Sequence, residues 1–201
     1  MKQLVLGWAA LLVSFSALAA DFKEGVEYRV LADQPRMEKS VVKVYSVYCP
    51  FCYKYEKSVT PVLIKAYGNH FDAYHLSEKG GFGAAATKLL AAAKTIAPEK
   101  YQAVKMAYYA ANLDKKIAFK NEAEFLQYGL EAGQIGQAEY EAALASPKTQ
   151  ATIKQWQDRA LPVAKVQGVP AIVVNGRYLV NTAKVTSMDM LKTLVDHLLA
   201  K

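Results

Sequence analysis

The chain has 201 residues, 53% of them hydrophobic and 21% charged, which is enough for one substantial core or for a compact domain with a sizeable insertion. No fixed-period repeat or low-complexity segment occurs, which excludes disordered, collagen-like and repeat proteins. The formal net charge of +7 is spread along the chain rather than gathered in a run. This distribution argues against a nucleic-acid partner and suits acidic proteins or an anionic membrane surface.

Residues 1–20 have the layout of a secretory signal peptide. Lys2 supplies a short positive region, an apolar stretch runs from Leu4 to Phe15, and small residues close the segment. The apolar stretch is shorter than the roughly 20 residues that a membrane-spanning helix needs, which favours cleavage over anchoring. We therefore expect residues 1–19 to be removed, with cleavage near Ala19 or Ala20, and the mature protein to be exported.

The remaining sequence combines strand and helix signals around a long helical block. In chain order, strands are predicted at 26–31 and 41–48, a helix at 53–67, a strand at 71–76, helices at 84–96, 98–112, 121–133, 138–145 and 146–161, strands at 171–174 and 177–180, and a final helix at 188–200. Pro61 should bend the first helix, and Asn175-Gly176 is a strong hairpin-turn signal. The helical block interrupts what is otherwise one α/β sheet domain.

The chain contains two cysteines, Cys49 and Cys52, with two residues between them. An inert structural bridge is one interpretation, but so short a loop removes little entropy from the unfolded chain, and the spacing favours redox chemistry. Zinc is another, because His70 and His75 follow. The seventeen residues between Cys52 and His70 exceed the usual finger spacing, however. We expect these two histidines and His197 to be surface or packing residues.

The position of Cys49 predicts a reactive sulfur. It lies where a predicted strand meets a helix, and Pro50 suits the first helical turn because its missing N–H has no partner there. The unpaired backbone N–H groups and the helix dipole at that end favour thiolate, so the pKa of Cys49 should lie below the usual value of about 8.5. A stabilised thiolate makes the corresponding disulfide oxidising. Cys52 lies one turn into the helix, where we expect it to be buried and to resolve mixed disulfides.

Two further residues are expected to tune this chemistry. Phe51 donates no side-chain hydrogen bond and carries no charge, so it leaves the thiolate less stabilised than a histidine would. Lys43 precedes Cys49 by six residues on the predicted strand and shares a face with Tyr45 and Val47. Its ammonium is either a buried cation near the sulfurs or a tip that reaches water, and the sequence leaves both open.

Beyond the helical block, Gly168-Val169-Pro170-Ala171 precedes a strand, and its proline is either trans at the strand start or cis in a sharp turn. CPFC between a strand and a helix, the helical insertion and GVPAIVVNGRY together resemble the DsbA family of periplasmic disulfide oxidoreductases. The resemblance covers essentially the whole mature chain, and CPFC is most similar to the DsbL branch.

This resemblance implies an α/β fold, a thioredoxin-like domain with an inserted all-helical domain. The segments it implies are a signal peptide at 1–19, thioredoxin-like parts at 20–82 and 163–201, and the helical domain at 83–162. It implies Cys49 as the nucleophile, Cys52 as the resolving cysteine and Pro170 as a cis proline facing their disulfide. Val169 would offer backbone hydrogen bonds to an extended client peptide. The disulfide is expected to be the only redox group, with no other cofactor and no metal.

Two departures from the family pattern concern charge. Phe51 replaces the histidine that stabilises the thiolate in common members. Lys43 stands where relatives carry a buried acid, and Ala73 stands where DsbA has a lysine. Our hypothesis is that Lys43 offsets the missing histidine and keeps Cys49 acidic, because a nearby cation favours thiolate.

The resemblance further implies a periplasmic monomer that introduces disulfides into reduced exported proteins. The clients of the branch include an exported arylsulfate sulfotransferase. A quinone-linked inner-membrane partner of the DsbB type, called DsbI in this branch, would reoxidise the enzyme. A disulfide isomerase or reductase of the same fold is the first alternative, although known isomerases add a dimerisation domain for which no residues remain. A non-catalytic peptide-binding chaperone is the second.

Overall fold

A computed structural model describes residues 21–201, so the expected signal peptide and its cleavage position lie outside the described residues. The strands are β1 (Tyr28–Val30), β2 (Val41–Tyr45), β3 (Phe71–His75), β4 (Ala171–Val174) and β5 (Tyr178–Val180). The helices are α1 (Pro50–Ser58), α2 (Thr60–Tyr67), α3 (Gly83–Ile96), α4 (Pro98–Tyr109), α5 (Glu122–Gly133), α6 (Gln137–Ala145), α7 (Pro147–Gln167) and α8 (Met188–Leu199). A π-helical segment at Ala110–Asp114, called the π-turn below, follows α4.

The strands form one five-stranded sheet in the order β1-β5-β4-β2-β3. β4 lies at its centre, and β2 is an interior strand that runs parallel to β3 and antiparallel to β4. Successive side chains of a strand point to opposite faces, and β4 follows this rule. Ala171 and Val173 join a core shared with the helical insertion, whereas Ile172 and Val174 join a second core with α2 and α8. The sheet therefore has helices on both faces. The end of β2 packs in the core shared with the helical insertion, called the first core below.

Several element boundaries differ from the sequence prediction, and three of the differences lie in elements that lead to the site. β2 ends at Tyr45, and residues 46–48 form a turn instead of continuing the strand. The helix predicted at 53–67 begins at Pro50 and is divided at Val59 into α1 and α2, with Pro61 in the first turn of α2. α7 continues through Pro162 to Gln167, past the predicted end of that helix and past the expected domain boundary at 162. No helix within residues 21–201 is long and apolar enough to cross a membrane.

Candidate redox site

The turn after β2 places Cys49 at the start of α1. The backbone N–H of Cys49 donates to the Ser46 carbonyl at 3.0 Å, and the N–H of Tyr48 donates to the Ser46 hydroxyl at 3.2 Å. Cys49 is the N-cap residue of α1 in an extended conformation, and Pro50 occupies the first turn. The turn therefore directs the Cys49 sulfur at the N–H groups of α1 that have no partner within the helix.

Several groups around the Cys49 sulfur favour its thiolate, whereas the Val169 carbonyl accepts a hydrogen bond from the thiol form. Its Sγ accepts the backbone N–H of Cys52 at 3.2 Å, and its thiol donates to the Val169 carbonyl at 3.3 Å. A hydrogen bond from the Cys52 side chain, with backbone hydrogen bonds from Cys52 and Phe51 and the charge of Lys79, lowers the pKa of Cys49 to about 6 against the opposing effect of burial. Cys49 is 3% exposed, so only an edge of it reaches the surface.

Cys52 has the opposite environment, although it belongs to the same motif. It is 0% exposed, and burial followed by its interaction with Cys49 raises its pKa far above the ordinary value for a thiol. Both cysteines are free thiols in this structure. The pair therefore combines one sulfur that ionises readily with one that holds its proton.

Val169 and Pro170 lie against this pair from the other end of the chain. The Val169–Pro170 peptide bond is cis, and β4 begins at the next residue. β4 is the antiparallel neighbour of β2, which brings the Val169 carbonyl to the Cys49 sulfur. Cys49, Cys52, Val169 and Pro170 therefore lie together at the end of the sheet where β2 ends and β4 begins.

The Lys43 side chain is fully buried, with 0% exposure. Its ammonium forms an ion pair with Glu56 and donates to the Thr60 hydroxyl at 2.7 Å. Lys105, from α4 of the helical insertion, reaches the other oxygen of Glu56 at 2.6 Å. The interpretation in which the lysine tip reaches water is therefore wrong, and Lys43, Glu56 and Lys105 form a buried charge cluster.

This charge cluster contains two lysines and one glutamate, and its Lys43 is close enough to Cys52 to interact with it electrostatically. Burial lowers the pKa of Lys43, and burial likewise lowers the pKa of Lys105 to about 8, while Glu56 opposes both shifts. Burial would raise the pKa of Glu56, but the two lysines more than compensate and lower it. The charge of Lys43 also opposes the rise in the pKa of Cys52. Its electrostatic effect is thus exerted at the buried sulfur.

Sequence reasoning missed Glu56, Lys105 and Lys79. A signal for Glu56 existed, because Cys52, Glu56 and Thr60 recur every four residues and so share one helix face. Lys105 lies on another domain and Lys79 in a loop, and no local pattern connects either of them with Cys49. Phe51, in contrast, behaves as expected: it is 65% exposed and offers the sulfur no side-chain hydrogen bond.

The histidines considered as zinc ligands do not converge on the cysteines. His75 is fully buried, and both of its ring nitrogens lie within hydrogen-bond distance of other groups. His70 lies in a single-turn 3₁₀ helix and is exposed. Within residues 21–201, no three His, Cys, Asp or Glu side chains are grouped as metal ligands.

Several known proteins are similar to this chain in sequence and in fold. The family model Thioredoxin_4, described as thioredoxin, matches residues 34–197. The thiol:disulfide interchange protein DsbL of Escherichia coli O6:H1 is 42% identical over 209 aligned residues, which cover 96% of this chain and 93% of that protein. The chain belongs to the DsbA/DsbL family of thiol:disulfide interchange proteins. DsbA of Salmonella typhi is 30% identical, with 94% of this chain and 91% of that protein covered.

Solved structures of the DsbA/DsbL family match the fold as well. The crystal structure of Salmonella enterica serovar Typhimurium DsbL superposes with a TM-score of 0.84 at 38% identity, covering 91% of this chain and all 100% of that one. The structure of reduced DsbL gives a TM-score of 0.83 at 38% identity, covering 90% and 100%. The predicted family and the thioredoxin-like fold with a helical insertion are confirmed, and the protein is a thiol:disulfide oxidoreductase.

Proposed function

We propose that this DsbA/DsbL family member is a periplasmic dithiol oxidase that introduces disulfides into exported proteins through Cys49 and Cys52. The observation that carries the proposal is the difference between the two thiols. The pKa of Cys49 is lowered to about 6, whereas burial raises that of Cys52. At neutral pH the reduced enzyme is therefore stabilised as a Cys49 thiolate, and a stabilised reduced form makes its disulfide a strong oxidant.

The reaction begins with the oxidised enzyme. A client thiolate attacks the Cys49 sulfur, the Cys49–Cys52 bond breaks, and Cys52 leaves with the electron pair and takes up a proton, as its raised pKa requires. A second client thiolate then attacks the client sulfur of the mixed disulfide, and Cys49 leaves as its stabilised thiolate. The client loses two electrons and gains a disulfide, and the enzyme is left with one thiolate and one thiol.

Client binding is proposed for the backbone at Val169 and Pro170. The Val169 carbonyl lies 3.3 Å from the Cys49 sulfur, so a peptide strand beside it would bring its own cysteine to the reacting atom. Backbone hydrogen bonds of this kind bind extended peptides with little dependence on their sequence. This mode suits an enzyme that acts on cysteines in unfolded exported chains.

Pro50, Phe51 and Lys43 are proposed as redox-tuning residues. Pro50 keeps the first turn of α1 in place, while Phe51 withholds a hydrogen bond and a charge. The charge cluster has one positive charge more than it has negative ones, and Lys43 is its member that acts on Cys52. We propose that this surplus positive charge stabilises the redox pair and compensates for Phe51.

Five further assignments follow from the family and belong to this proposal. The enzyme works in the periplasm after cleavage of its signal peptide. It uses no cofactor other than the Cys49–Cys52 disulfide, and it acts as a monomer. A quinone-linked inner-membrane partner of the DsbB or DsbI type accepts its electrons. Its clients are reduced exported proteins, an arylsulfate sulfotransferase among them.

The reduction potential tests the direction of the reaction. The purified mature protein is equilibrated with glutathione buffers, and the fraction of Cys49–Cys52 disulfide is measured at each ratio. We expect a potential near the value of about −120 mV known for DsbA, despite Phe51. A potential near the thioredoxin value of about −270 mV would favour the reductase or isomerase alternative. A Cys49 that never reacts with glutathione would favour the peptide-binding chaperone.

A further inference from the structure

The peptide unit of Val47 is held by side chains on both of its polar sides. Val47 lies in the turn between β2 and α1, two residues before Cys49, and is fully buried. Its backbone N–H donates to Nε2 of His75 at 3.3 Å, and its carbonyl accepts from Nδ2 of Asn112 at 3.3 Å. A buried turn of this kind normally loses stability unless its polar groups are paired, and here two side chains supply the partners.

The hydrogen bonds around His75 fix its tautomer. Because Nε2 accepts the Val47 N–H, the ring proton is on Nδ1, which donates to the Thr87 hydroxyl at 2.8 Å. The Thr87 hydroxyl in turn donates to the Gly83 carbonyl at 3.1 Å. Each hydrogen is used once along this chain, which runs from the turn before Cys49 into α3. His75 is 0% exposed, so water does not replace any of these bonds.

Asn112 comes from the π-turn after α4. In this segment the N–H of Lys115 donates to the Ala110 carbonyl at 2.8 Å, a bond across five residues instead of four. A π-helical turn changes the direction of its side chains from the one they would have in an α-helix, and such turns often occur at functional sites. Asp114 of the same π-turn accepts the Tyr53 hydroxyl at 2.8 Å. The π-turn therefore forms hydrogen bonds to Val47, which precedes Cys49 by two residues, and to Tyr53, which directly follows Cys52.

We propose that Asn112 and His75 are positioning residues for Cys49, and that the π-turn exists to place Asn112 at the Val47 peptide unit. The hydrogen bonds from Cys52 that favour the Cys49 thiolate act over a short range, with the N–H at 3.2 Å from the sulfur. A turn that shifts by a fraction of an ångström weakens them. This inference rests on the proposed role of Cys49, and it assigns to the helical insertion a direct part in the reactivity of that sulfur.

The test is the Asn112→Leu variant, which keeps the size of the side chain but removes its donor. The pKa of Cys49 is measured in the reduced protein from the absorbance of the thiolate at each pH. We expect it to rise by about half a unit, which is roughly a threefold lower ratio of thiolate to thiol at a given pH. The equilibrium with glutathione should shift by a similar factor toward the oxidised enzyme, because the reduced enzyme is then less stabilised.

Asn121→Ala is the matched control. Asn121 caps α5 in the same domain by accepting the Glu124 N–H at 2.9 Å, and loss of a cap costs about 1 kcal/mol. This variant should lower stability without moving the pKa of Cys49. Equal shifts in both variants would overturn the inference, because they would reflect general loosening of the domain. An unchanged pKa in Asn112→Leu would overturn it as well.

Thr87→Val provides a second route to the same answer if Asn112→Leu does not fold. It is nearly isosteric and removes the acceptor that fixes His75, together with the donor to the Gly83 carbonyl, so the pKa of Cys49 should again rise. The wild-type titration separates this inference from the proposed function. A wild-type Cys49 pKa near 8.5 would contradict the proposed oxidase and the positioning role together. A low wild-type pKa that neither variant changes would contradict the positioning role alone.

Discussion

Lys43 illustrates how much a single buried charge depends on its partners. Alone, a lysine ammonium inside a protein loses its proton, because burial disfavours the charged form. Here Glu56 and the Thr60 hydroxyl accept from it, and Lys105 balances the second oxygen of Glu56. The ion pair with Glu56 therefore opposes the lowering of the Lys43 pKa by burial and holds the side chain close enough to act on Cys52.

The Lys43→Met variant tests this effect at the residue scale. We expect the pKa of Cys49 to rise, because the charge that acts on the neighbouring Cys52 is removed and the charge cluster loses its surplus positive charge. Stability should fall by roughly 3 kcal/mol, at the low end for breaking a buried ion pair, since Lys105 still neutralises Glu56. The pKa is read from thiolate absorbance and the stability from urea unfolding. Lys94→Met, which removes a lysine paired with Asp72, serves as the control. A Cys49 pKa unchanged by Lys43→Met would contradict the tuning role.

Residue-scale prediction from the sequence succeeded where the cause was local. Pro50 after Cys49 is a helix-start signal, and Cys49 is indeed the N-cap of α1, with Cys52 buried one turn later. Whether the Lys43 side chain is buried or exposed could not be predicted from local sequence. Its partner Glu56 is thirteen residues away and on another element, so the choice between burial and exposure depended on tertiary packing.

At the scale of elements, the helical insertion is assembled around close helix contacts at a glycine. Gly129 of α5 is buried against α4 and α3, and a Cβ there would lie 2.3 Å from the Tyr108 hydroxyl and 2.6 Å from Leu89. Tyr108 in turn stacks on Phe125 with ring centroids 4.1 Å apart. The α4–α5 contact therefore depends on the missing side chain, and it supports the helix that leads into the π-turn.

The Gly129→Ala variant should lower the free energy of unfolding by roughly 1–3 kcal/mol, as overpacking of a core does. Urea unfolding measures this change. Gly81→Ala is the control, because nothing lies within 4 Å of a Cβ at Gly81, and its stability should stay close to that of the wild type. Destabilisation of equal size in the two variants would show that helix packing at Gly129 is not the cause.

Element order followed from the sequence, but two prolines show the limit of local rules. Pro61 was expected to bend a single helix, and it instead starts a second one, because Val59 ends α1 and proline suits a first turn. Pro162 was expected to lie beyond its helix, yet α7 passes through it. Trp156 and Val163 on either side of Pro162 are buried in the first core, and this packing outweighs the lost backbone bond.

At the scale of the whole molecule, ionisable groups are buried in several places, and each links folding to pH in a different range. When Cys49 and Cys52 form their disulfide, His75 is a buried group that links folding to pH in the range just below neutrality. Burial lowers its pKa to about 3, compared with about 6.5 in an unfolded chain. Between these values the unfolded chain binds a proton that the native protein does not, so stability must fall as the pH falls. Above pH 6.5 the histidine is neutral in both states and has no such effect.

We therefore expect the free energy of unfolding to decrease by about 1.4 kcal/mol for each pH unit below 6.5, measured by urea unfolding between pH 7.5 and 5. The protein should be measured with its Cys49–Cys52 disulfide formed. In the reduced protein, Cys49 has a pKa of about 6 and would itself lower the free energy of unfolding as the pH falls. Lys105, with a pKa of about 8, titrates above this range, and Glu56 titrates below it. The His75→Gln variant, whose amide oxygen still accepts the Val47 N–H, should show a flat profile between pH 6.5 and 5. A wild-type profile equally flat would mean that His75 gains its proton without unfolding, and that the turn before Cys49 tolerates a charged ring.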